Sequence, residues 1–363
     1  MSAMAKLTAI SGVGGKGPAC FLVETERARL MLDLGYGPAP GQWPDVSGVG
    51  RVDALLLSHG HRDHAGALAI APQVGDPPIY ATASVLSGLQ RKTDRWELPL
   101  NETAEVCGIT VHTGRNGHAP GGVWFHLEVG DGLIYMGDHG VESPLYAFDT
   151  PMRAGTLIVD GSYGNYADSL DDCIARLGPV FERGNALFPV PVKGRGPEMA
   201  YHLARGRGIL PHLGDDLRSS LEAMAVTDGD SLRPGAAAEL ARIARDAPPI
   251  EAARGLMLSG PGDAAGGTAG DLVARWEFDA QPEIVFTGYL APGTPAQWLT
   301  ESGRARFIRW NAHPRLADNV ALVRAVKAHT VIPAFGEARH LDAWRAAFAP
   351  AKVTLEREVT LSG

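Results

Sequence analysis

Short apolar runs dominate the first half of the chain. Cys20–Glu24 and Arg29–Asp33 are rich in Leu, Val and Phe and flank a polar turn, which predicts two strands. Val52–Leu57 is a continuous apolar run that stops at Ser58–His59, and the helix-compatible stretch Ala65–Ile70 follows it. Val123–Val129, Leu133–Met136 and Thr156–Val159 read as further strands. From about Phe181 the texture changes. Asn185–Val190 reads as a strand, Gly196–Ala204 as a helix, and Pro234–Arg245 is Ala-rich with helical spacing. Gly255–Ser259 and Glu283–Thr287 are strand-like and are divided by the Gly/Ala-rich stretch Gly260–Gly270. After Arg304 the pattern returns to strand, helix, strand. Phe307–Trp310 leads to a helix with Leu316, Val320, Val323 and Val326 on its apolar face, then to a strand at Thr330–Ala334 and a helix at Leu341–Phe348. The whole reads as α/β, with a smaller α/β segment (181–305) inserted into a larger domain made of 1–180 and 306–363. No fixed-period repeat is present.

Composition narrows the class. With 363 residues, 45% hydrophobic and 20% charged, the chain has ample material for a buried core. No apolar run approaches the ~18 residues of a membrane helix, so no membrane association is expected. The N-terminus has Lys6 but no sustained apolar segment, and a secretory signal is not expected. Cys20, Cys107 and Cys173 are few and widely spaced, which suits a reducing, cytoplasmic setting. They form no CxxC pair, so a bound metal would depend on His and carboxylate. A formal net charge of −8 argues against a surface that grips nucleic acid all round, while leaving room for a local basic groove. A homo-oligomer is compatible with all of this.

The chemistry concentrates in HGHRDHAG, which holds His59, His61, Asp63, His64 and Gly66 directly after an apolar run. Side chains alternate along an extended backbone, so His59 and His61 can point the same way. The turn that follows brings Asp63 and His64 to a second position beside them. Imidazole and carboxylate together suit borderline divalent cations such as Zn²⁺, with manganese or iron as alternatives. Later turns supply further donors: His118 in RNGHAPGG and Asp138 in LIYMGDHG, where a carboxylate could bridge two cations. His112, His126 and His139 are competitors.

The order His59-x-His61-x-Asp63-His64, then His118, then Asp138 resembles the metallo-β-lactamase superfamily, and Asp33 in MLDLG resembles the acidic residue of that fold's early strand. The resemblance implies a four-layer αββα sandwich with two metals at one edge of its paired sheets. It places His59, His61 and His118 on one zinc, Asp63 and His64 on the other, and Asp138 between them. Asp160 in IVDGSYGN is similar to the acidic motif that opens the β-CASP insert of nucleic-acid-processing members. Gly194, Arg195 and Glu198 in FPVPVKGRGPEMAYHL, together with MLSGPGDAAGG and FTGYLAPGT, look like later segments of that group, and WNAHPR puts His313 at its catalytic histidine. The implied relatives are exonucleases and cleavage-and-polyadenylation-type factors of RNA 3′-end processing. Two positions depart from the pattern. IPAFGEARH carries Phe335 where RNA-cutting members have a histidine ligand of the second metal, with His340 as the nearby substitute, and Arg315 stands where the group has Asp. The second metal site is therefore expected to be the weaker one.

Two such cations, typically ~3.5–4 Å apart, share a hydroxide, and zinc lowers the pKa of bound water to about 7. Asp63 would bind metal and orient the nucleophile, His313 would protonate the leaving oxygen, and Asp160 would fix the tautomer of His313. For substrate, Lys193 and Arg195 lead a basic stretch that also contains Arg205, Arg207 and Arg218, and Trp43, Trp96, Trp298 and Trp310 are candidates for base stacking. The expected activity is a metal-dependent phosphodiesterase acting on RNA or DNA. The alternatives are a hydrolase of a lactone, thioester or cyclic phosphodiester on the same fold, and a non-catalytic binding subunit.

Overall fold

The computed structural model describes residues 5–91 and 93–362. They form two compact units. One comprises the chain up to Val141, Phe148–Ala167 and the segment from His313 onward; the other comprises Glu142–Ala147 and Asp168–Ala312.

The first unit is built on two seven-stranded mixed sheets. One runs, edge to edge, Glu358–Leu361, Ala5–Ser11, Cys20–Glu24, Arg29–Leu32, Ala54–Leu56, Ile79–Ala81, Arg95–Glu97. The other runs Lys352–Val353, Thr330–Ala334, Thr156–Asp160, Leu133–Tyr135, Val123–Leu127, Ile109–Arg115, Thr103–Val106. Leu7, Phe21, Val23, Leu30 and Leu56 of the first pack with Val111, Phe125, Leu127, Tyr135 and Ile332 of the second in one buried cluster. Each sheet buries its other face too, which is why the central strands read as continuous apolar runs. Met31 and Leu55 pack on the 3₁₀ stretch Leu68–Val74, and Ile134, Leu157 and Val331 pack on the helices Leu316–Val326 and Leu341–Phe348. The result is the αββα sandwich that the sequence predicts.

The second unit is a five-stranded parallel sheet in the order His212–Leu213, Gly255–Ser259, Asn185–Pro189, Glu283–Phe286, Arg306–Phe307. Leu217, Leu221, Leu240 and Ile243, from Asp215–Thr227 and Ala236–Asp246, cover one face. Val273, Trp276 and Leu299, from Gly267–Trp276 and Pro295–Glu301, cover the other.

Several expectations shift in detail. The helix expected over Ala65–Ile70 is instead a single turn, Arg62–Ala65, followed by 3₁₀ structure to Val74 that contains Pro72. The stretch Gly260–Gly270 is more than a spacer, since the helix Gly267–Trp276 starts inside it. Helix Leu170–Arg183 opens the main segment of the second unit, ahead of the change of texture at Phe181, and is set by a capping box in which Ser169 and Asp172 exchange hydrogen bonds.

Candidate metal centre

The site lies at the ends of strands of the first unit. Arg29–Leu32 and Ala54–Leu56 run parallel and release Asp33 from the first and Ser58 and His59 from the second. His61 immediately precedes the helical turn Arg62–Ala65, which carries Asp63 and His64. That turn is tied to the chain after Asp33: Leu34 N–H donates to His64 O and Tyr36 N–H to Arg62 O, both at 2.9 Å. From the second sheet, His118 follows Ile109–Arg115, Asp138 follows Leu133–Tyr135, and Asp160 ends its own strand. Asn116 Oδ1 accepts from the His118 N–H at 3.0 Å and holds that loop in place.

His61 Nδ1 lies 3.1 Å from His59 Nε2 and 3.1 Å from His118 Nε2. Asp138 Oδ2 is 3.8 Å from the first of those partners and 3.5 Å from the second. Its other oxygen, Oδ1, is 3.1 Å from His64 Nε2. Ligand atoms of His59, His61, His118 and Asp138 lie within 4.8 Å of one another, and so do those of Asp63, His64 and Asp138. The donor set fits a pair of cations. Two nitrogens on one tetrahedral zinc, each bonded at 2.0–2.1 Å, would be about 3.3 Å apart, close to the spacing found here. Asp138 turns one oxygen to each group, as a bridging carboxylate requires.

Asp33, fully buried, organises the donors from behind. Its carboxylate accepts from Ser58 N–H and Ser58 Oγ, each at 2.7 Å, and from the Tyr135 hydroxyl at 2.5 Å. His64 Nδ1 lies 2.7 Å from Asp33 Oδ2. A carboxylate there keeps the N–H on Nδ1 and leaves Nε2 directed at Asp138. Ser58 Oγ, 3.1 Å from His59 Nδ1, can do the same for that ring.

Electrostatics follow the burial. Loss of solvent, with His64 and His61 close by, pushes His59 well below the ordinary imidazole range. Burial also opposes a charge on His64, but Asp138 and Asp33 outweigh it and raise that ring. Burial would raise Asp138; His64 and His313 reverse this and hold its carboxyl well below the usual range. Asp160 is likewise lowered in spite of burial, chiefly by His313.

His313 Nδ1 is 2.8 Å from Asp160 Oδ2 and 3.7 Å from Asp138 Oδ2, and the ring stands 4.8 Å from that of His118. Asp160 also accepts from Ser162 N–H at 2.9 Å, so the carboxylate is anchored before it meets the imidazole. Two residues on, Arg315 occupies the N-cap position of the helix Leu316–Val326.

Other expectations fare differently. His112 bonds Glu128 at 2.8 Å and stacks with His126, 5.4 Å away, and neither residue belongs to a metal-capable group among the described residues. His139 is buried against Phe148, and burial pushes it down to about 4. His340 lies on Trp344 and is in no such group either. Trp310 is fully buried with its indole N–H donating to Glu198, which removes it from base stacking, whereas Trp43, Trp96 and Trp298 are exposed. Arg218 points at the carbonyls of Ala244 and Ala247, so it closes the end of a helix. Arg195 is half-buried with its guanidinium against Gly288, and Lys193 is exposed. Ser58 and Tyr135 escaped the sequence reading. Ser58 carried a weak signal, standing between an apolar run and the first histidine, whereas Tyr135 sat unmarked inside a strand.

A buried His/Asp cluster at the edge of paired sheets is typical of a metal-dependent hydrolase of the metallo-β-lactamase fold. Residues 13–178 match the metallo-β-lactamase superfamily. The chain is distantly related to β-CASP RNA-processing proteins. It is 26% identical over 262 residues to the transcription termination factor FttA of Methanosarcina mazei, covering 57% of this chain and 41% of that protein. It is 29% identical to an RNase J-like protein of Methanocaldococcus jannaschii, covering 50% of each. It is 22% identical to the endoribonuclease YSH1 of Kluyveromyces lactis, covering 93% of this chain and 56% of that protein. The matches thus span about half the length of these relatives. A crystal structure of a protein of unknown function from Enterococcus faecalis shares the fold over 99% of this chain and 100% of that one, with a TM-score of 0.62 and 14% identity.

Proposed function

We propose that this hydrolase cleaves phosphodiester bonds in nucleic acid, with RNA as the first substrate to test. The observation that carries the reading is the Asp160–His313 pair beside the His/Asp cluster, bonded at 2.8 Å. A hydrolase that breaks a P–O ester bond needs a proton for the departing oxygen, and an imidazole oriented by a buried carboxylate is suited to give it. The relatives named as an endoribonuclease and an RNase J-like protein lend the polymer its priority.

In this reading His59, His61 and His118 hold one cation, Asp63 and His64 hold a second, and Asp138 serves both. Zinc is the first candidate and manganese or iron the alternatives. Bound there, such cations lower the pKa of water and offset charge on the reacting phosphoryl oxygens. Asp63 orients the water that adds to phosphorus and takes up its proton. As the P–O ester bond breaks, His313 passes a proton to the leaving oxygen. Asp160 keeps the Nδ1–H of His313 in place, so that Nε2 carries the transferred proton. Lys193 and Arg195 are assigned to backbone phosphates.

The net charge of −8 favours a second reading, a hydrolase of small esters such as a lactone, thioester or cyclic phosphodiester. Zinc-loaded protein is therefore given labelled single-stranded RNA, the same sequence as DNA, and bis(p-nitrophenyl) phosphate. Polymer cleavage that falls at least 100-fold in His313→Ala supports the nuclease. Turnover of the small ester alone would overturn it.

A further inference from the structure

We infer that the two cation positions are unequal, because Phe335 fills the place from which one more donor would reach the Asp63–His64–Asp138 group. The inference rests on the reading of the cluster as a metal centre. Three neighbouring strands of the second sheet, Leu133–Tyr135, Thr156–Asp160 and Thr330–Ala334, run parallel and end at one edge. The first leads to Asp138 and the second ends at Asp160, whose register partner is Ala334. Position 335, one residue beyond Ala334, thus belongs to the same row of strand ends as two carboxylates of the site. It carries an apolar ring.

That ring is held where it is. Its centroid is 5.1 Å from that of His64, edge to face, and 6.2 Å from that of Phe21. The Phe335 backbone N–H donates to Gly12 O at 2.7 Å, and the residue is only 5% exposed. The backbone is left-handed, with φ 62°, a conformation a phenylalanine rarely adopts. Neighbouring contacts therefore fix both the chain and the side chain beside His64.

The consequence lies in donor number. The group of His59, His61, His118 and Asp138 offers four protein donors, and the group of Asp63, His64 and Asp138 offers three, one of them shared. A phenyl ring supplies no lone pair, and His340 is in neither group. Cation affinity rises with the number of well-placed donors, so the first position fills at concentrations that leave the second largely empty.

The test is calorimetric titration of zinc into the metal-stripped protein, with bound metal counted by elemental analysis after gel filtration. The expected result is one tight equivalent and a second at least 100-fold weaker. His61→Ala should abolish the tight phase, which ties it to the four-donor group. Phe335→His should bring the two dissociation constants within about tenfold, since histidine tolerates a left-handed backbone better than phenylalanine does. Two equally tight equivalents in the wild type would overturn the inference while leaving the metal centre intact. A folded Phe335→His protein with an unchanged second phase would also overturn it. No stoichiometric zinc at all would remove the metal centre itself. The wild-type titration decides the matter even if the histidine variant does not fold.

Discussion

Asp33 touches no cation in the proposed centre, yet four donors converge on its carboxylate. Replacing it with Asn would keep the shape while removing the charge that holds the N–H of His64 on Nδ1. Partners of this kind are worth 10- to 100-fold in metal affinity. Asp33→Asn should accordingly weaken zinc binding by about that factor, measured by chelator competition, and unchanged affinity would contradict the role. Glu198, in the second unit, behaves in another way. It is almost fully buried, accepts from the Trp310 indole at 3.0 Å, and burial pushes its carboxyl up to about 7. A folded-state value above the unfolded one means that the native protein binds the extra proton. Stability is then present below pH ~4.5 and lost as pH rises towards 7, by at most about 3 kcal/mol. Glu198→Gln should flatten that part of the melting profile between pH 5 and 8, and parallel wild-type and variant curves would count against it. The two residues differ in how visible they are in the sequence. Asp33 ends a legible strand, but its partner Tyr135 is 102 positions away and gives no local sign of the contact.

At the scale of elements, the donors depend on how closely two chain segments approach. A Cβ on Gly35 would fall 1.6 Å from the Asp63 carbonyl oxygen, so only glycine admits the turn that carries Asp63 and His64. Gly35→Ala should displace that turn, lower the melting temperature and reduce bound zinc below the wild-type stoichiometry; a variant with normal melting and full metal content would refute this. The strands around the site were readable because both sheets are buried on both faces, which leaves continuous apolar runs such as Ala54–Leu57. The helices of the second unit were harder to read. Asp215–Thr227 buries Leu217, Leu221 and Met224, and Gly267–Trp276 buries Ala269, Val273 and Trp276; each stripe has helical spacing but is only three residues long, and the second helix opens on glycine. The turn Arg62–Ala65 is too short for any period, and its hydrogen bonds to the chain after Asp33 maintain it.

For the whole molecule, the candidate site joins parts of the chain that are far apart in sequence. His59 and His313 are brought to one edge of the first unit although the second unit's main segment, Asp168–Ala312, lies between them in the chain. A ligand bound only by the folded form stabilises by mass action, about 2.7 kcal/mol at 100 times its dissociation constant. Chelation should therefore lower the melting temperature by several degrees, and zinc should restore it. His61→Ala should show no such response, and a variant that responds like the wild type would separate stability from this centre. Among the described residues no helix is long and apolar enough to cross a membrane.

What the chain states locally is the donor chemistry. His59, His61, Asp63 and His64 lie within six positions, and the strand before them is announced by its own apolar run. Alternation and turn chemistry act over a few residues, so they can be read in order. Convergence cannot be read that way. That Asp138 turns one oxygen to each group, that Asp160 receives His313, and that Trp310 is buried on Glu198 all depend on strand order and packing. Those contacts form between segments tens to hundreds of residues apart, and their geometry comes from the packed core of the unit that holds them, a property no single stretch of the chain contains.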